Sequence, residues 1–252
     1  MGQESKDDIE LSEEEIAEAK LQEEKRQKEL KLLENNKTKL AHANLSGKDL
    51  TDADFSGGKI NRSNLSNATL AKANLKNADL CDANLNNADL NNAQLNGSAF
   101  IQANLTQADL SQTDLTDTDF RDAHLENADL KSARLNGADF SWADLSFAIL
   151  EQAEMVDADF TEANLHGANL RGANLNGANF ENALLTDTFL KGADLSSLTN
   201  LTAEQIEAAD IDKATVLPEH ISITWTTEKA FKCREIESGT KKKNKAKKQK
   251  AK

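Results

Sequence analysis

From Leu40 to Leu195 an apolar residue recurs at every fifth position without a break, through Leu45, Leu50, Phe55 and Ile60 and on to Leu185 and Leu190. Two residues ahead of each stands a small residue, nearly always Ala, as in Ala73-Asn74-Leu75 and Ala168-Asn169-Leu170. Where Ala is missing its substitute is mostly small too: Gly58, Ser63, Ser98, Thr113, Thr118 and Thr188. A period of five fits neither the 3.6 residues of a helical turn nor the two of an extended strand, so the chain must turn at regular intervals. If each pentapeptide forms one side of a closed coil, its central Leu or Phe and the small residue before it point inward while the other three face water. The result is a solenoid with one stacked core, in which each coil is stabilised by its neighbours.

The phenylalanines count the sides. Phe100, Phe120, Phe140, Phe160 and Phe180 recur every 20 residues, four pentapeptides apart, while Phe55 falls on a different side. Four sides per coil stack those five rings in one interior column at the inter-strand spacing of about 4.8 Å, and three or five sides scatter them. The 32 pentapeptides then make eight coils and a rod of roughly 35–40 Å.

Units such as Ala78-Asp79-Leu80-Cys81-Asp82 and Ala173-Asn174-Leu175-Asn176-Gly177 resemble the A(D/N)LXX repeats of pentapeptide repeat proteins, and the resemblance spans residues 40–195. It implies an all-β solenoid, a right-handed quadrilateral β-helix. It implies little about activity, because a shared fold is a weak warrant for function.

The flanks predict four segments: a charged N-terminal helix over 1–39, the β-helix over 40–195, a C-terminal cap over 196–237 and a disordered basic tail over 238–252. Ser12-Glu13-Glu14-Glu15 is a capping box, and the helix it opens is expected to stop at Asn35-Asn36, with Ile16, Leu30 and Leu33 as a thin apolar stripe over the first coil. Thr202-Ala203-Glu204-Gln205 is a second capping box, predicting a short helix through Ala209. Ile221-Ser222-Ile223-Thr224-Trp225 alternates like a strand, either completing the cap or lying along the rod. A cap is needed because an open solenoid end exposes strand edges.

Composition narrows the function. Only 4% of residues are aromatic, none is Tyr, and one is Pro, which argues against a compact catalytic core. The N-terminus pairs no positive stretch with an apolar one, and no apolar run approaches 18 residues, so neither secretion nor a membrane span is expected. Cys81 and Cys233 form no metal or redox spacing, and a reduced, cytoplasmic setting is expected. His42, His124, His166 and His220 form no ligand cluster, and exposed carboxylates on a convex rod lack a desolvated pocket to tune them. Enzymatic activity, a cofactor, a metal and a small-molecule substrate are therefore not expected.

The net charge of −13 is unevenly spread: residues 40–195 hold 23 acidic and 10 basic side chains, while 196–252 hold 8 and 12. The side with the phenylalanines is the most acidic, and Asp79, Asp82, Asp119, Asp122, Asp139, Asp159, Glu162 and Glu181 form a candidate interaction face. A second candidate is apolar: Trp142, Phe147, Ile149, Leu184 and Phe189 occupy outward positions, and such clusters mark contacts. The expected cover is the chain's own C-terminal segment, with a protein partner as the alternative.

Three functions follow. The leading expectation is a non-enzymatic protein-interaction scaffold, with a flanking segment available for homodimerisation. The second is DNA mimicry, which the resemblance implies through quinolone-resistance members that protect type II topoisomerases, although this frame lacks the loops that interrupt theirs. The third is a tether: residues 241–252, opening on Lys241 and closing on Lys252, carry eight lysines that would attract anionic lipid or nucleic acid.

Overall fold

A computed structural model describes residues 12–227 and 230–236. The basic tail lies outside the described residues. From Asn44 onward, residues 20 apart pair in parallel, as in Asn64↔Asn84, Asp109↔Asp129 and Asp139↔Asp159. Each coil is therefore four pentapeptides, and the rod is a quadrilateral β-helix. We name the walls by their central residues: wall A holds Ile60, Leu80 and Phe100 through Phe180, wall B Leu45 through Leu185, wall C Leu50 through Leu190, and wall D Phe55 through Leu195.

Every central residue from Leu40 to Leu195 is buried. Stacked rings of wall A lie 4.9–5.1 Å apart from Phe100 to Phe160, with Phe180 tilted above them at 5.0 Å. That arrangement is the interior column expected of a four-sided coil.

The local chemistry explains the repeat's polar letters. At each corner the small residue of the next wall donates its N–H to the preceding central carbonyl, as Ala68 does to Leu65 at 3.0 Å. The residue just before it takes a positive φ, near 57° at Asn67 and 68° at Gly172, a conformation favouring Gly, Asn and Asp. The Asp or Asn preceding the central residue accepts from the N–H two residues on, as Asn64 Oδ1 does from Ser66 at 3.1 Å and Asp129 from Lys131 at 2.9 Å. These bonds mimic a turn and hold the corner. Coil-to-coil bonds complete the ladder, with Leu65 N–H donating to Asn84 at 2.7 Å and Asn84 N–H to Ser63 at 2.9 Å.

At the start of the rod, α1 (Glu13–Asn35) opens on the Ser12 capping box. A 3₁₀ turn, Lys37–Lys39, links it to the first wall. Of the expected stripe, Leu30 is buried and Leu33 partly so, but Ile16 is exposed. α1 and the turn after it supply what a preceding coil would have given: Glu34 Oε1 accepts the Asp54 N–H at 2.8 Å, and the Lys37 carbonyl accepts the Lys59 N–H at 2.8 Å. Arg26 adds an ion pair to Asp49 at 3.6 Å.

Past Leu195 the ladder continues through Asn179↔Thr199, Phe189↔Asp210 and Asp194↔Val216. The last two pairs are 21 and 22 residues apart: one extra residue comes with α2 (Ala203–Ala208), which stands in place of a wall B pentapeptide, and a second lies between Asp210 and Val216. Its Gln205 completes a capping box with Thr202, and its side-chain amide donates to the Phe180 and Ala183 carbonyls at 2.8 and 2.9 Å. The predicted strand is present as β1 (Ile221–Trp225), paired antiparallel with β2 (Phe231–Glu235). This hairpin packs on α2: Glu235 accepts the Ala203 N–H at 2.7 Å, and Glu207 accepts the Cys233 N–H at 2.6 Å.

Candidate functional site

Asp79, Asp119, Asp139 and Asp159 stand in one ladder on wall A, continuous with Lys59, Ala99 and Asn179. They are half-buried and occupied locally. Asp79 accepts from the Cys81 N–H, Asp139 from the Ser141 N–H and hydroxyl, and Asp159 from the Thr161 N–H and hydroxyl and from Asn179. Arg121 pairs with Asp119 at 2.7 Å and with Asp139 at 3.7 Å. Burial pushes the Asp119 carboxyl up, but the bonds from Arg121 outweigh it and hold the group below the ordinary carboxylate range. Asp82, Asp122 and Glu162 lie on the corner between walls A and B. Asp82 pairs with Arg62 at 3.3 Å and Glu162 accepts from Asn182 at 3.1 Å. Glu181 is exposed on wall A beside that corner. The eight carboxylates share one side of the rod, but much of their charge closes turns or meets arginine.

The apolar residues are distributed differently. Trp142 occupies the A/B corner and Phe147 the B/C corner of the same coil, so they bracket wall B. Leu184 lies on wall B itself, in the ladder above Asn164. Ile149 and Phe189 share a wall C ladder with Asn169 between them. Trp142 is 58% exposed, Phe147 53%, Leu184 58% and Ile149 38%. Phe189 is half-buried beneath Arg171, whose guanidinium carbon lies 4.8 Å from the ring centroid. The expected cover is not provided by the described C-terminal segment: Trp142, Phe147, Ile149 and Leu184 all stay exposed beside it.

Trp142 and Phe147 are also conformationally expensive. Both sit at the positive-φ corner position, at 61° and 59°, which disfavours bulky side chains. The Phe147 ring is accommodated because Gly167 stands next in its column: a Cβ there would lie 2.7 Å from the ring. His166 meets that ring edge-on at 5.0 Å while its Nδ1 lies 3.0 Å from the Thr186 carbonyl. The sequence held a signal for this corner, since Gly167, Gly172 and Gly177 fall at the same phase of the repeat as Trp142 and Phe147, but reading those two aromatics only as outward positions left it unused.

Among the described residues no group of three or more His, Cys, Asp and Glu is placed to hold a metal. No described helix is long and apolar enough to cross a membrane. His124 meets Glu126 at 3.4 Å, on the same wall as His166. Both cysteine thiols are pushed up to about 11, Cys81 by burial and Asp79, Cys233 by burial with Glu207 and Glu235.

The family profile described as pentapeptide repeats matches eight copies, over residues 36–70, 63–100, 98–137, 138–177 and 163–197. No curated protein matches the chain. Among solved structures, a pentapeptide repeat protein from the Arabidopsis thaliana thylakoid lumen is 31% identical over 40% of this chain and 71% of that one, with a TM-score of 0.40. HetL, a pentapeptide repeat protein involved in heterocyst differentiation regulation from the cyanobacterium Nostoc sp. strain PCC 7120, is 24% identical over 83% of this chain and 94% of its own, with a TM-score of 0.36. QnrB1, a plasmid-mediated fluoroquinolone resistance protein, is 20% identical over 70% of this chain and 90% of its own, with a TM-score of 0.39.

Proposed function

Because the chain belongs to the pentapeptide repeat family and has that family's right-handed quadrilateral β-helix, we propose that it is a non-enzymatic scaffold that binds a protein partner through wall B and its two corners. The carrying observation is the pair of aromatic side chains, Trp142 and Phe147, exposed at left-handed corner positions on both margins of one wall. Exposed aromatic groups serve as anchors in interfaces. Leu184 extends the surface toward the C-terminal end.

Three segments then have distinct roles. Residues 40–195 are eight coils of rigid support. Within 1–39 the described residues cap one end, with Glu34 and Lys37 standing in for a missing coil. Within 196–237 the described residues cap the other, through α2 and the hairpin. The two free cysteines suit a reducing setting such as the cytoplasm.

Affinity capture with the intact protein tests this reading. A partner retained by the native chain is expected to be lost with Trp142→Ala/Phe147→Asn and kept with Lys72→Ala, at a distant C/D corner. Equal retention by all three overturns it.

DNA mimicry is the second reading, favoured by the acidic excess of residues 40–195. The Asp ladder of wall A counts against it, since those carboxylates are engaged in turns and with Arg121. A DNA-competed, salt-sensitive effect on a type II topoisomerase would support mimicry; no effect in a supercoiling assay would end it.

A further inference from the structure

Where wall B meets the C-terminal segment there is a groove of about 690 Å³, lined by Leu184, Ala208, Glu181, Glu204 and Glu235 among others. Leu184 gives it an exposed apolar floor. Below it the A/B corner carries Asn182, Glu162, Trp142 and Asp122 on successive coils, so the indole sits between two carboxylates. Among the described residues Glu162, Glu181 and Glu204 have no cationic side chain within 4.0 Å. Arg121 faces Asp119 and Asp139, and reaches Asp122 only at longer range.

We propose that residues 241–252 of this same chain occupy the strip, with lysine ammonium groups against Glu162, Glu181 and Glu204 and lysine stems over Leu184 and Trp142. Three observations select this occupant. The described chain leaves at the groove itself, since Glu235 lines it and Ile236 follows. The segment offers eight lysines and no acidic residue. The geometry is within reach: residues 236 to 241 span up to about 17 Å, and Trp142 lies two coils from Asn182, about 10 Å. Lysine suits such a mixed surface because its stem covers apolar groups while its head stays hydrated, and an indole face attracts the cation. Tethering raises the effective concentration above that of a separate chain. This inference rests on wall B being the recognition surface: the tail would occupy it until a partner competes.

The test uses the full chain carrying Trp225→Phe, so that emission reports Trp142 alone. Deleting 241–252 is expected to raise acrylamide quenching about twofold as the lysine cover is lost. A synthetic 241–252 peptide should restore protection to the deleted chain at low salt and lose that ability near ~0.5 M, where exposed charges are screened. Unchanged quenching on deletion overturns the proposal. Carbodiimide coupling gives an independent reading. Amide links within one chain from the 241–252 lysines to Glu162, Glu181 or Glu204 support it. Links only between isotopically distinguished chains, or spread over wall D carboxylates, overturn it. Either failure leaves the scaffold reading to be judged separately by capture with the Trp142 and Phe147 variants.

Discussion

At the residue scale, the five-residue unit divides labour between packing and turn chemistry. The central Leu or Phe and the small residue before it fill the interior, and the Asp or Asn between them closes a turn. One interior position breaks the rule: Ser63 occupies the Ala site, and its hydroxyl is buried without a partner. Thr118 and Thr188 avoid that cost by donating to the Leu95 and Leu165 carbonyls at 3.2 and 2.7 Å. Ser63→Ala is expected to stabilise the protein by about 1–2 kcal/mol, the desolvation cost of an unmade bond, measured by chemical denaturation; a loss of stability would contradict it. Cys81 makes a second prediction. Burial and Asp79 raise its thiol to about 11, against an ordinary value near ~8.5. The thiolate is the reactive form, so alkylation should be slow at neutral pH and rise about tenfold per pH unit until it approaches that raised value. A plateau reached near pH 9 would show an ordinary thiol.

At the element scale, both helices began as capping boxes in the sequence and formed where those boxes stood, because the cap chemistry is local. β2 was missed. Its five residues have half-buried Phe231 and Cys233 on one face, but so short an alternation does not reveal whether it pairs with Ile221–Trp225. What α1 does for the rod also lay outside the sequence signal, since Glu34 meets Asp54 only once the first coil has closed. Glu34→Ala should leave the Asp54 amide without its acceptor. Hydrogen exchange at Asp54 is expected to quicken while that at Asn104, which donates to Ala83, stays protected. Unchanged exchange at Asp54 would mean that α1 is not seated there.

At the scale of the whole molecule, the fold was legible because one period ran unbroken for 32 units and the phenylalanines marked its multiple. The site was less legible. Position in the frame placed Trp142, Phe147, Ile149, Leu184 and Phe189 on the outside, yet it could not tell the exposed four from Phe189 beneath Arg171. The acidic face, likewise read by counting charge, is in good part the turn chemistry of wall A. Each surface assignment depends on residues 20 apart facing one another across neighbouring coils. A cysteine walk measures that directly, in a chain with Cys81 and Cys233 replaced by Ser. Adjacent strands at about 4.8 Å lie within the Cα range a disulfide spans. Asp109→Cys with Asp129→Cys, which pair across coils, should oxidise to an intramolecular disulfide, while Asp109→Cys with His124→Cys should remain reduced. Equal oxidation of the two pairs, or oxidation of the second alone, would contradict the four-walled coil and the surface map drawn on it.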